Sequence, residues 1–105
     1  MEQYTVEITN EALKDMEDIY NYIAEELLVP DTAMEQYNRI ADAILSLDMN
    51  PKRYRPMDSE LEKGRERRCM PVDNYSVFYV VSGNRVVVTD VLYSASNIEA
   101  RLREI

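Results

Sequence analysis

The sequence contains no histidine, one cysteine and two glycines. Without imidazole, Ser-His-Asp and Cys-His catalytic machinery cannot be assembled, and proton transfer falls to carboxylate, tyrosine, lysine or arginine. The lone thiol, Cys69, can form no internal disulfide and supplies only one metal ligand, so a disulfide scaffold and the usual zinc sites are excluded, and no metal or other cofactor is expected. Cys69 reads as a small packing residue, because nothing in its surroundings offers a base. No apolar run approaches the ~18 residues needed to cross a bilayer. The first twenty residues carry acids where a secretory signal would be unbroken and apolar, which points to a reducing cytoplasm. Scarce glycine and a hydrophobic content of 46% exclude a disordered or low-complexity chain. A length of 105 residues leaves room for one core, so residues 1–105 are read as a single domain.

Charge is abundant and segregated. The net charge is −8, but residues 1–50 hold twelve acids against only Lys14 and Arg39. From Pro51 to Arg85 the balance reverses to +3, with Arg65, Arg67 and Arg68 close together. An acidic body with a basic edge follows, and that edge keeps an anionic partner possible despite the overall charge.

Tyr4, Val6 and Ile8 alternate with polar residues, predicting a short strand with one buried face. Thr9 or Asn10 can cap a helix whose apolar stripe is Leu13, Met16, Tyr20, Ile23 and Leu27, running to about Leu28. Val29-Pro30 ends it. A second helix opens at a Thr32–Glu35 capping box and carries Ala33, Tyr37, Ile40, Ile44 and Leu47 as far as Asn50-Pro51. The short connection predicts an antiparallel helical hairpin. Lys52–Gly64 reads as a surface loop, and Arg65–Val72 as an edge or irregular strand because Pro71 interrupts it. Tyr75–Val81 and Val86–Tyr93 are dense in β-branched and aromatic residues and form the central strands, joined through a Gly83-Asn84 turn with positive backbone angles. Ser94–Arg103 allows a short terminal helix. The fold class is α+β: an N-terminal strand, an antiparallel helical hairpin, a three-stranded antiparallel meander in one sheet and a C-terminal helix.

On a strand, Arg65 and Arg67 face one side and Arg68 the other, so two guanidinium groups could receive a phosphate or carboxylate; pairing with the acidic helices is the competing arrangement. Tyr20, Tyr37 and Tyr79 fall at packing positions. Tyr75 and Tyr93 come to the same end of the sheet, where one could stack a base or donate a proton. Asp90 interrupts an apolar strand and is expected to pair with an arginine. No metal-ligand spacing, glycine-rich phosphate loop or nucleophile elbow is present.

Taken together, "NEALKDMEDIYNYI", "AMEQYNRIADAILSLDMNP", the basic strand, "VDNYSVFYVV" and "VVVTDVLYSASNIEARL" closely resemble the RelE/ParE toxin superfamily of bacterial type II toxin-antitoxin systems. The resemblance covers nearly the whole chain. It implies a toxin of a plasmid-stabilisation module, silenced by an antitoxin that wraps the helices and sheet. Its target is then either DNA gyrase, as in the ParE-like branch, or ribosome-bound mRNA, which RelE-like members cleave without metal. The nuclease branch carries a phosphate-binding arginine where this chain has Ser76, and His, Arg or Tyr where it has Ser94–Asn97. Tyr93 stands where ParE-like chains often have His. The helix lengths and the Asn50-Pro51 exit resemble the ParE side, so the expected function is inhibition of gyrase or replication. The alternatives are a ribosome-dependent endonuclease and a non-toxic member that only binds antitoxin. No catalytic residue is assigned; the groups with suitable chemistry are Arg67, Arg68, Tyr75 and Tyr93. Arg65, Arg67, Arg68 and Tyr54 are the expected contacts to target or antitoxin. The antitoxin's apolar side chains would fill a groove between hairpin and sheet, with its acids on the three arginines.

Overall fold

The computed structural model describes residues 3–104. Its elements are β1 (Thr5–Ile8), α1 (Asn10–Asn21), a π-helical turn (Tyr22–Glu26), α2 (Pro30–Leu45), a short α3 (Asp58–Glu62), β2 (Arg68–Val72), β3 (Tyr75–Ser82), β4 (Arg85–Tyr93) and α4 (Ile98–Arg101). One four-stranded sheet has the order β1-β4-β3-β2, with β1 parallel to β4 and the rest antiparallel. The expected α+β architecture is therefore present.

α1 opens at Thr9, whose hydroxyl accepts the Ala12 N–H at 3.1 Å and donates to the Val88 carbonyl at 3.0 Å, so the cap also ties the helix to β4. Its buried stripe is Ala12, Met16 and Ile23 with Ile19 beside them; Leu13 and Leu27 are exposed, so the stripe is rotated from the expected one. The small Ala12 allows close approach to the sheet where Leu13 would hold it off. α2 starts two residues before the expected Thr32 cap. Pro30 occupies its first turn, where a missing N–H costs nothing, and Val29 offers no side-chain cap. Ala33, Ile40, Ile44 and Leu47 are buried as expected.

The segment expected as an irregular loop contains a turn at Pro51–Arg53 and α3. α3 is too short to show periodicity, and its Glu60 is buried against Arg65 and Arg67, which follow the helix in the chain. β2 begins at Arg68 rather than Arg65, because Arg65 N–H bonds the Glu60 carbonyl (2.8 Å) and Arg67 C=O accepts from Met57 (3.0 Å). Two-residue turns join the meander. Asp73 takes a left-handed conformation (φ +56°) in the first, and in the second Gly83 alone does so (φ +60°), where both Gly83 and Asn84 were expected to.

A bulge in β4 decides the placement of Asp90. Tyr79 pairs with Val88 but Phe78 pairs with Asp90, leaving Thr89 as the extra residue. Strict alternation would put Asp90 on the face of Val86 and Val88. The inserted residue gives that position to Val91, which joins the core under the helices, and turns Asp90 to the other face.

Candidate functional site

On that other face, α3 and the C-terminal segment lie over β3 and β4, and charge is concentrated beneath them. Arg67 is 0% exposed, its Nη1 3.2 Å from Asp90 Oδ1 and its Nε 3.0 Å from Glu60 Oε1. Its Nη2 also donates to the Arg103 carbonyl. Asp90 accepts in addition from the Arg103 backbone N–H (3.3 Å) and Nη1 (3.1 Å). Glu60 receives Arg65 Nη2 at 3.1 Å, and Arg65 Nη1 reaches Glu104 at 2.8 Å. The Arg65 guanidinium is held above its usual pKa chiefly by the bond to Glu60. Asp90 thus pairs with arginine, as its setting in the strand implied.

Arg103 carries the network round the sheet. β1 covers β4 only as far as Val88, so the strand beyond has an open edge. Asp15 of α1 accepts the Val91 N–H at 3.0 Å, and Arg103 Nη1 donates to the Thr89 carbonyl at 3.1 Å. The two side chains meet through a fork, with Nη1–Oδ2 and Nη2–Oδ1 both at 2.7 Å. That bond to Asp15, followed by the nearby carboxylates, pushes the Arg103 pKa up. Buried backbone groups that lack a neighbouring strand are satisfied in this way.

The expected basic surface is consequently much reduced. Arg67 lies out of reach of any partner, and Arg65 is held between two carboxylates. The two do not form the open pair of guanidinium groups that alternation suggested, because 65–67 are not strand residues and Glu60 folds over them. Arg68 donates to the Tyr54 carbonyl at 2.6 Å, while Arg53 lies 5.0 Å over the half-buried Tyr54 ring. Cys69 is half-buried, and burial raises its thiol pKa. Ser76 and Ser94 bond each other at 2.7 Å.

Tyr75 and Tyr93 do come together, edge to face, with ring centroids 5.9 Å apart. They line a groove of about 630 Å³ between the π-helical turn and the end of the sheet. Tyr22, Leu27 and Ile19 form its apolar wall; Asp15, Asp18 and Arg101 give it charge. Burial, with Tyr93 and Tyr22 adding to it, raises the Tyr75 pKa and holds the phenol neutral. Of these residues only the two tyrosines were expected at a site; Leu27 was expected on the packing stripe of the first helix. Asp15 had a readable signal, a carboxylate at the three-residue step between Ala12 and Ile19 on an otherwise apolar stripe. Arg103 had none.

The family model for the ParE toxin of the type II toxin-antitoxin system parDE matches residues 6–98. The chain belongs to the ParE toxin family. Its fold is similar to a chromosomal ParDE toxin-antitoxin structure from P. aeruginosa, with a TM-score of 0.72 and 17% identity over 87% of this chain and 96% of that one. It is also similar to a chain of the toxin-antitoxin complex RelBE2 from Mycobacterium tuberculosis, with a TM-score of 0.62 and 21% identity over 91% and 97%. No curated protein matches the sequence. As a ParE-family chain it combines the family's fold with a tyrosine-lined groove, and among the described residues no helix is long and apolar enough to cross a membrane.

Proposed function

We propose that this ParE-family chain is the toxin of its module, that an antitoxin segment seated in the Tyr22–Tyr75–Tyr93 groove silences it, and that the freed chain acts by binding DNA gyrase or another replication protein rather than by cutting mRNA. The observation that carries the second half is the burial of Arg67 between Glu60 and Asp90. Metal-free RNA cleavage needs a base for the 2′-hydroxyl, an acid for the leaving oxygen and cations for the charge that builds in the transition state. Here one of the two candidate arginines, Arg67, is neutralised by Glu60 and Asp90, Ser76 and Ser94 bond each other, and Tyr75 is held protonated and so unfit as a base. A groove with an apolar floor and a few polar groups suits a protein segment.

Inducible expression tests the reading. Inhibited gyrase supercoiling in vitro, DNA-damage signalling and filamentation with intact transcripts are expected. Transcripts cut at ribosome-bound codons would overturn it, and harmless expression with tight antitoxin binding would leave only the binding half.

A further inference from the structure

The link between α1 and α2 is irregular and apolar at the same place. Five large hydrophobic residues are exposed within thirteen positions: Tyr22 (56%), Leu27 (53%), Leu28 (78%), Val29 (40%) and Met34 (48%). The helix widens into a π turn at Tyr22–Glu26, a form that occurs mostly as single-turn insertions and frequently at functional sites. It is closed by Leu27 N–H on the Tyr22 carbonyl (3.2 Å) and Val29 N–H on that of Ile23 (3.3 Å). The residue that turns the chain between these two bonds is Leu28, at φ +58°. Glycine is the usual residue at such a helix stop, because a Cβ is strained there. A leucine held in the strained conformation and projecting into water contributes nothing evident to the fold.

Acids surround this apolar tip. Glu25, Glu26 and Asp31 have no cation within ion-pair distance among the described residues, and the two cations of the first fifty residues are occupied, Lys14 by Asp18 and Arg39 by Asp73. An apolar centre with a charged rim is the anatomy of a protein-binding surface. The rim is negative, which disfavours a second copy of this chain and any nucleic acid.

We propose that the hairpin tip, with Leu28 as its projecting anchor, seats a lysine- and arginine-rich amphipathic segment of the antitoxin, continuous with the groove that Tyr22 and Leu27 also line. The proposal rests on the toxin reading above. It reverses the charge pattern expected from sequence, in which acids of the antitoxin would meet Arg65, Arg67 and Arg68.

The test measures affinity for the product of the reading frame adjoining this chain's gene, together with thermal stability, for the wild type, Leu28→Gly, Leu28→Asn and the triple variant Glu25→Gln, Glu26→Gln, Asp31→Asn. Both Leu28 variants accept the left-handed backbone, so their melting temperatures should equal or exceed the wild type's while Kd rises about tenfold or more. The triple variant should bind more weakly and lose much of the salt dependence of Kd. Unchanged affinity in the Leu28 variants, or tighter binding by the triple variant, would overturn the proposal while leaving the toxin reading intact. Failure of the wild type to bind that product at all would remove the toxin reading and this proposal with it.

Discussion

Arg67 and Asp90, twenty-three residues apart, form a fully buried ion pair with Nη1 and Oδ1 separated by 3.2 Å. Each has a second opposite charge, Glu60 for the arginine and Arg103 for the aspartate, so the pair is the middle of a chain of alternating charge. Charges removed from water are tolerated only when matched in this way.

Removing one member of the pair leaves the other buried with only its second partner, Arg103 for Asp90 or Glu60 for Arg67, to offset its charge. Arg67→Met and Asp90→Leu should each cost about 3–5 kcal/mol in equilibrium denaturation, enough to unfold a domain of marginal stability. The double replacement should recover most of that loss, because no uncompensated charge then remains. A double variant no more stable than the single ones would show that the network's geometry, and not its charge balance, holds the segment.

Arg103→Gln should release the C-terminal segment while leaving the core intact. The guanidinium is partly exposed, so the expected loss is modest, about 1–2 kcal/mol after allowance for solvent screening. Hydrogen exchange gives the more specific readout. The Val91 amide, bonded to a carboxylate that Arg103 orients, should exchange faster, with little change at Val86 or Val77.

Tyr79 donates its buried hydroxyl to the Pro51 carbonyl at 2.6 Å, and burial pushes its pKa up to about 12. The folded state therefore holds this proton more tightly than the unfolded chain, whose phenols titrate near ~10. The resulting stability is fully present below pH ~10 and is lost as the pH rises toward ~12, by about 2–3 kcal/mol in total. Denaturation midpoints compared with Tyr79→Phe should show a steeper decline in the wild type, the variant keeping only what Tyr75 contributes. The variant should also be about 1 kcal/mol less stable near neutral pH, since the buried carbonyl loses its donor.

Tyr75→Ala and Tyr93→Ala, separately, should weaken antitoxin binding by more than Arg65→Ala does. The tyrosines line the groove, whereas the charge of Arg65 is already met by Glu60 and Glu104. Calorimetric titration of each variant decides this, and a larger loss from Arg65→Ala would move the binding surface to the α3 side.

Chain order, the two helices, the central strands, a helix cap at Thr9 or Asn10 and the need for a partner at Asp90 were legible in the sequence, because hydrophobic period and local capping chemistry are properties of short segments. The α2 stripe of Ala33, Ile40, Ile44 and Leu47 is where it was expected, and so is the meeting of Tyr75 with Tyr93. The cationic surface was not legible. Alternation assigned Arg65 and Arg67 to an open strand face, but whether a guanidinium meets a partner or a carboxylate of its own chain depends on α3 folding Glu60 back over them and on Asp90, twenty-three residues from Arg67. One extra residue at Thr89 shifts the register and turns Asp90 away from the helices, and no pattern in the strand announces it. By itself the sequence determined the family, the α+β order and the exclusion of histidine chemistry, since these depend on which residues are present and how they recur. Only the tertiary structure decided which of the charges remain available to a partner, because pairing across twenty or more residues is set by packing and not by spacing.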